Sequence, residues 1–487
     1  MSPEISPARA LAFATVRETF EQDAFTERAF RAGAERLHLD GRERAQAQRL
    51  AYGAVQRRGT SDAAIERLAG RSTRLLDPPV LAGLRLGLYE LLFSDGTPDH
   101  AAVDQAVELV KGAGAAHAAG FVNAVLRRAA RERAELTAAL LDDDSTPEAA
   151  AVAHSAPLWL ARMWWQELGP EAARSLLAAC NEPPQVGMRV APRSLRKDAT
   201  VAARSLRRES DMDACERDAP IDLDREAVLE TLSEAGVEAS SPQANWPLDT
   251  PEMIVVTGRT GETVPDLVAA GELTPQSRGS AAVVEVLDPR EGEQLLDLCA
   301  GPGIKTGQIA ARMGDRGEII SIELDSARAG EVAAQAQRLG LRSVTVIEAD
   351  AAAMEMAPGF DRVLLDAPCS DLGALASRPD ARWRKSPKTI ERLVAIQERA
   401  LLGAARVLRP GGTLVYATCT ISRRENEDRV AALLAAAAAG EVPALELEDL
   451  GARAPELASP LQPRCLQLRP DRDRTTGFFI ARLNRHD

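Results

Sequence analysis

The sequence predicts a multidomain protein: an all-α N-terminal domain, a mixed α/β segment, and an α/β C-terminal domain built on a parallel sheet. Three observations carry this. Over residues 1 to about 140 apolar residues recur at helical spacing with no convincing strand between them. An acidic run ending in a turn former follows, and beyond Leu287 short apolar runs alternate with helical segments. At roughly 150 residues per domain, 487 residues give room for about three cores.

The helical reading rests on Leu81, Leu84, Leu88 and Leu91, and again on Val103, Val107 and Val110. The domain 1–140 is expected to end before Leu141-Asp142-Asp143-Asp144-Ser145-Thr146-Pro147, where few core contacts could cross. The segment 150–285 holds a Trp-rich helix (Trp159, Trp164, Trp165) and a Pro183-Pro184 stop; its polar stretch from Arg193 to Asp224 reads as a partly disordered insertion. In 286–487 strands are expected at Gln294–Leu298, Glu318–Ile322, Val344–Ile347, Arg362–Leu365, Thr413–Ala417 and Phe478–Leu483. Helices fill 305–313, 326–339 and 389–408.

Composition narrows the function. The net charge of −13 repels polyanions at long range, so any nucleic-acid site must be a local basic surface. Nine Phe, five Trp and three Tyr are too few for an extended base-stacking platform. The opening Met1-Ser2-Pro3-Glu4 lacks the pattern of a secretory signal, so a cytoplasmic location is expected. Uncharged, mostly apolar runs such as Val430 to Gly440 are too short to span a membrane. Cysteines at 180, 215, 299, 369, 419 and 465 form no CxxC pair and have no histidine beside them, so neither a metal site nor a disulfide framework is expected.

The first strand of the last domain runs into Asp297-Leu298-Cys299-Ala300-Gly301-Pro302-Gly303-Ile304-Lys305-Thr306, a Gly-rich turn that lets the backbone approach a ligand. A P-loop would need glycine at 299 and 304, which are Cys and Ile. The second strand ends in Glu323-Leu324-Asp325, where a carboxylate can accept both hydroxyls of a ribose. A helix N-cap acid would give the same letters; that role suits Asp325, leaving Glu323 for the ligand. A dinucleotide dehydrogenase would share these features. Two further motifs separate the readings: Asp366-Ala367-Pro368-Cys369-Ser370 after the fourth strand and Tyr416-Ala417-Thr418-Cys419-Thr420 after the fifth. Buried cysteines are ordinarily packing residues, but two that end neighbouring strands of such a sheet can face one ligand.

These motifs, in this order, resemble the RNA cytosine-C5 methyltransferases. Asp297 to Thr306 is similar to that family's S-adenosylmethionine loop, DxCAAPGGKT, with Gly301 and Ile304 in place of an alanine and a glycine. Upstream, Phe121-Val122-Asn123-Ala124-Val125-Leu126-Arg127 resembles the NusB-like RNA-binding domain fused to the Fmu/Sun (RsmB) branch, and Asn181-Glu182-Pro183-Pro184 with Met188-Arg189-Val190 resembles its joining segment. Gln276-Ser277-Arg278-Gly279-Ser280 lacks the acid that commonly follows this glutamine.

The resemblance implies a NusB-like helical domain, an RNA-binding middle segment and a Rossmann-like class I methyltransferase domain. The cofactor would be S-adenosylmethionine, held by Cys299, Ala300, Gly301, Pro302, Gly303, Ile304, Lys305, Glu323, Asp350 and Asp366. Cytosine C5 is a poor nucleophile until a thiolate adds at C6. By the family pattern Cys419 is that nucleophile, Cys369 assists release and Asp366 positions the flipped base. The implied partner is small-subunit ribosomal RNA, acted on by a monomer without metal.

Nine Lys or Arg against three acids from Arg378 to Arg409 suggest an RNA contact. The loop around Arg382-Trp383-Arg384-Lys385 is its best candidate, and 389–409 reads equally well as a solvated helix face. Rival readings are a methyltransferase acting on transfer RNA or DNA and a non-catalytic ribosome-assembly factor. DNA enzymes place the nucleophile in the earlier proline–cysteine motif, and retention of both cysteines and Asp366 weighs against a scaffold.

Overall fold

A computed structural model describes residues 5–94, 96–192, 224–242, 246–258, 260–353 and 356–486. The stretch from Arg193 to Asp224 therefore lies, Asp224 apart, outside the described residues, as does Cys215. The chain divides into two compact units: Met1–Pro183 with Ala374–Pro387, and Pro184–Gly373 with Lys388–Asp487.

The first unit is helical. Its helices are α1 (Pro7–Glu21), α2 (Thr26–Leu37), α3 (Gly41–Gln56), α4 (Arg58–Ala69), α5 (Pro78–Phe93), α6 (Asp99–Gly112), α7 (Ala119–Arg131), α8 (Arg133–Leu141), α9 (Pro147–Ala153), α10 (Leu158–Leu168) and α11 (Pro170–Ala179). Local chemistry sets their starts. Ser6 accepts from the Arg9 amide and Asp40 from the Glu43 amide, so each caps a helix whose first amides have no helical partner. The leucine stripe of α5 is buried against Val103, Val110, Val122 and Leu126. Gly83 and Gly87 permit this approach: a Cβ would meet Val110 at 2.4 Å and Leu126 at 2.7 Å.

The helical unit continues to Pro183, past the acidic run where a boundary was expected. That run is held in place, because Asp144 accepts from His154 Nε2 at 3.0 Å and Arg174 Nη1 at 3.4 Å. Further ties come from Thr60 Oγ1 to the Val152 carbonyl (2.6 Å) and from Gln56 to the Cys180 carbonyl (2.8 Å). Trp164 of the Trp-rich helix is fully buried.

The basic loop read as an RNA contact belongs to this same unit. Arg382 is 1 % exposed and donates to the carbonyls of Ser155 (3.0 Å), Cys180 (2.8 Å) and Leu375 (3.3 Å) and to Asn181 Oδ1 (3.0 Å). Burial pushes its guanidinium down to about 10. Trp383 donates Nε1 to the Val55 carbonyl at 2.7 Å. The RNA reading fails at these two residues because their cationic and aromatic groups are spent inside the helical core.

The second unit holds two sheets. A four-stranded antiparallel sheet, order β2-β3-β1-β4, comprises β1 (Val186–Val190), β2 (Glu238–Ser240), β3 (Met253–Thr257) and β4 (Leu273–Pro275). The larger sheet runs β10-β12-β9-β8-β5-β6-β7, with β11 paired to β12. Its strands are β5 (Gln294–Leu298), β6 (Glu318–Glu323), β7 (Val344–Glu348), β8 (Phe360–Asp366), β9 (Leu408–Thr418), β10 (Leu445–Leu447), β11 (Leu466–Leu468) and β12 (Phe478–Arg485). Strands β5 to β9 are parallel, while β10, β11 and β12 are added antiparallel.

All six expected strands are present, within a few residues, except that β9 begins five residues earlier. Central strands are buried on both faces: Leu296, Val363, Leu365 and Leu414 pack to one side, and Leu295, Leu364 and Val415 to the other. The chain passes from β5 outward through β6 and β7, then returns to the other side of β5 for β8 and β9. This reversal opens a crevice at the carboxyl ends of β5 and β8.

A buried polar chain ties the two sheets together. Arg189 of β1 donates to Gln276 (2.9 Å), Gln276 to Gln308 (2.5 Å), and Gln308 to Glu252 (2.7 Å), which also pairs with Arg312 (2.9 Å). Gln308 and Arg312 lie on the helix Ile304–Arg312 that follows β5. The Gln276 segment therefore braces the helix that begins at the glycine turn.

Arg382→Ala is expected to lower the stability of the helical unit by about 2 to 4 kcal/mol, leaving several buried carbonyls without donors. Native-state hydrogen exchange over 147–183 reads this directly. Unchanged protection would return Arg382 to the surface role its charge suggests.

Candidate active site

The turn after β5 is shaped by two residues in the left-handed region, Cys299 (φ 62°) and Gly303 (φ 92°), the latter starting the next helix. Thr306 Oγ1 donates to Asp297 Oδ2 at 2.6 Å, locking strand to helix. Burial pushes the Asp297 carboxyl up to about 7, and its Oδ1 has no hydrogen-bond partner. Burial, then the carboxylates of Glu323, Asp366 and Asp297, push the Cys299 thiol well above its ordinary range, which leaves it unreactive.

Glu323 ends β6 and is 4 % exposed. Its carboxylate accepts from the amides of Gly301 (2.9 Å) and Leu324 (3.0 Å), so it lies directly against the glycine turn. Asp325 caps the helix Ser326–Leu339 through the Arg328 amide at 2.9 Å, the structural role its position suggested. Arg328 donates to the Gly301 carbonyl at 2.5 Å. A Cβ on Gly301 would stand 2.5 Å from Glu323 Oε2 and 2.8 Å from Arg328 Nε, so an alanine here requires those two side chains to shift.

Ala300 is buried, Pro302 exposed and Ile304 half-buried. Asp350 follows β7 and accepts from the Ala352 amide at 2.9 Å. Lys305 turns toward the neighbouring strand: its Nζ is 2.7 Å from Asp366 Oδ2 and 4.9 Å from the Phe478 ring centroid.

The two cysteine motifs end adjacent parallel strands, with Asp366 of β8 in register with Ala417 of β9. Cys369 Sγ and Cys419 Sγ are 3.3 Å apart, and Cys419 Sγ donates to Asp371 Oδ1 at 3.1 Å. Cys369 is buried and Cys419 partly exposed. The hydrogen bond with Cys369, burial and the Asp371 and Asp366 carboxylates hold the Cys419 thiol well above its ordinary range. At rest it is a protonated thiol.

Glu425, fully buried, clamps both cysteine turns. It accepts from the Ser370 amide (2.9 Å) and hydroxyl (2.5 Å) and from Gln397 (3.2 Å), which also donates to the Pro368 carbonyl (2.9 Å). Ser370 Oγ lies 2.7 Å from Thr420 Oγ1, next to Cys419. Burial pushes the Glu425 carboxyl up. Sequence reasoning missed Glu425 and Asp371. A polar Arg424-Glu425-Asn426 run carries no sign of burial, and the available signal was each residue's closeness to a cysteine motif.

Residues 284–484 match the family described as 16S rRNA methyltransferase RsmB/F, and residues 6–131 match the NusB family. A probable ribosomal RNA small subunit methyltransferase B of Synechocystis is 32 % identical, covering 98 % of this chain and 99 % of its own. The chain belongs to the RsmB/F family of rRNA methyltransferases. A Bacillus subtilis relative with the same description is 31 % identical over 90 % of this chain and 89 % of its own. The crystal structure of PH0851 shares the fold, with TM-score 0.76 at 24 % identity over 99 % of this chain and all of that one.

As an RsmB/F-family protein the chain is an S-adenosylmethionine-dependent methyltransferase with a NusB-type helical N-terminal domain and a Rossmann-like catalytic domain. The residues present fit that cofactor. A backbone cradle that a Cβ on Gly301 would fill lies against the buried Glu323 carboxylate, and Asp297 Oδ1 is a buried acceptor without a partner. Among the described residues no helix is long and apolar enough to cross a membrane.

Glu323→Ala is expected to weaken S-adenosylmethionine binding by about 1.5 to 3 kcal/mol, the range for charge-assisted hydrogen bonds. Calorimetry giving equal affinities would remove Glu323 from the site. Asp297 adds a pH dependence. Its folded-state pKa of about 7 lies above the ordinary 3.8, so its contribution to stability is full below 3.8 and is lost as pH rises through 7. Asp297→Asn should remove this decline, so that variant and wild type diverge between those values and run parallel above; identical slopes in chemical denaturation would refute it.

Proposed function

We propose that this protein methylates C5 of a cytosine in small-subunit ribosomal RNA through a covalent Cys419–C6 adduct. The observation that carries the reading is the pair of thiols 3.3 Å apart at the ends of β8 and β9, beside Asp366. Neither thiol alone completes the chemistry, because attack on C6 and removal of the C5 proton are separate steps needing separate groups. Cys419, the more exposed of the two, is suited to reach a base in the crevice; Cys369, recessed behind it, is suited to the later step.

Cys419 adds to C6, and the C5=C6 electron pair moves toward C4 and N3. Asp366 holds the base at N3 by accepting a hydrogen bond from the proton that N3 takes up from solvent, with Lys305 fixing the orientation of its carboxylate. Bound S-adenosylmethionine supplies the electrophilic sulfonium methyl group, held by residues 299–305, Glu323, Asp350 and Asp366. Cys369 as thiolate then takes the C5 proton, the C5=C6 bond re-forms, Cys419 leaves, and the proton passes to solvent. The base must stand out of any helix to enter the crevice, so the target lies in a loop or remodelled strand. The NusB-type domain supplies separate phosphate contacts; Arg127 and Arg131 on the outer face of α7 are its candidates.

Cys419→Ala is expected to give neither methylation nor adduct. Cys369→Ala should still add and methylate but stay bonded to its RNA, migrating as a denaturation-resistant complex, and the double variant should lose that complex. Reversal of the two single-variant results would exchange the roles. Bisulfite sequencing of ribosomal RNA from cells lacking the protein should show one methylcytosine lost, and an unchanged pattern would place the target elsewhere.

A further inference from the structure

Asp371 stands in the turn that follows Cys369 and Ser370, and its backbone occupies the left-handed region at φ 59°. Among side-chain-bearing residues, Asp and Asn enter that region at the least cost. The conformation aims its carboxylate at the neighbouring turn, where Oδ1 accepts from Cys419 Sγ at 3.1 Å. The sulfurs of Cys369 and Cys419 and a carboxylate oxygen of Asp371 all lie within 4.8 Å of one another. Asp366, the acid already used to hold the base, is a different residue on the strand end. The nucleophile therefore has a carboxylate partner that the adduct mechanism has not used.

We propose that Asp371 is the general base that accepts the thiol proton of Cys419 as its sulfur attacks the base. The inference rests on the adduct mechanism above. The S–H bond breaks and its proton passes to Asp371 Oδ1; the sulfur pair forms the S–C6 bond; the C5=C6 pair moves to C4–C5, and the C4=N3 pair takes a proton from solvent, through which N3 hydrogen-bonds the Asp366 carboxylate. After methyl transfer and loss of the C5 proton, the C6–S bond breaks and the departing sulfur recovers its proton from Asp371, while N3 returns its proton to solvent. One proton, from C5, is released overall.

A carboxylate beside a thiol also disfavours the free thiolate, so two roles for Asp371 predict opposite results. If it is a base, the resting thiol stays protonated, and deprotonation occurs only in concert with attack on a docked base. If it acts only by repulsion, removing its charge frees the thiolate and speeds attack.

The test measures the rate at which a denaturation-resistant complex forms with a small-subunit ribosomal RNA transcript carrying fluorine at cytosine C5. Fluorine cannot leave as a cation, so the methylated adduct persists. Wild type is compared with Asp371→Asn and Asp371→Gly, both of which suit the left-handed backbone and guard against a folding defect. Both variants should form the complex on the order of 100-fold more slowly at neutral pH, the lower range for general base catalysis, with cofactor affinity unchanged. A rate equal to or above wild type in either variant overturns the role of Asp371 and leaves the adduct mechanism standing. Absence of the complex in wild type overturns the adduct mechanism and this inference with it.

Discussion

The site depends on one buried carboxylate. Strand pairing alone brings the ends of β8 and β9 to the ordinary spacing of about 4.8 Å, and says nothing about where the turns beyond them point. Glu425 supplies that information. It binds Ser370 through both amide and hydroxyl, and through Ser370 it holds Thr420, so that each cysteine is fixed by the residue that follows it. Burying a carboxylate is costly, as its raised pKa records, and the donors of Ser370 and Gln397 offset that cost. The clamp fixes both turns at once, which is what keeps the two thiols 3.3 Å apart.

A second constraint is charge. Asp297, Glu323, Asp350, Asp366 and Asp371 gather at the carboxyl ends of the strands, with Lys305 and Arg328 as nearby cations. This excess of acid suits a sulfonium cofactor, which carries positive charge, and repels a phosphate backbone. Under the proposed function, phosphate contacts would therefore fall to basic surfaces away from this acidic crevice. The net charge of −13 is thus compatible with RNA as a substrate.

Much of this was legible in the sequence because periodicity and turn chemistry act locally. Strands β5 to β8 and β12 appeared within a few residues of their observed bounds, and the glycine turn, Glu323 and both cysteine motifs occupy the strand ends where such sheets bind ligands. What was illegible depends on burial of polar groups. Arg382 and Trp383 have the letters of an RNA-binding loop, and only the surrounding carbonyls reveal a core role. Asp144 reads as linker until His154 and Arg174 are seen to hold it. Glu425 and Asp371 are acids in polar runs, and no spacing rule marks one as a clamp and the other as a thiol's partner.

The path of the chain adds a further consequence. It leaves the catalytic unit after Gly373, contributes 374–387 to the helical unit, and returns at Lys388. The point of exit is tightly fixed, since the Gly373 amide donates to the Cys419 carbonyl at 3.0 Å and its carbonyl accepts from the Gly477 amide at 2.9 Å. A Cβ there would lie 2.4 Å from the Gly477 carbonyl oxygen, so only glycine fits. The turn from Asp366 to Gly373 therefore runs straight into a segment whose anchoring contacts lie in the helical unit. A cut at residue 140 would remove the carbonyl of Val55, which Trp383 engages, while leaving the carbonyls of Ser155 and Cys180 for Arg382. The cut would also remove the Asp23 and Ala24 carbonyls that Arg384 engages, so the segment 374–387 depends for part of its anchoring on the stretch 6–131 that matches the NusB family.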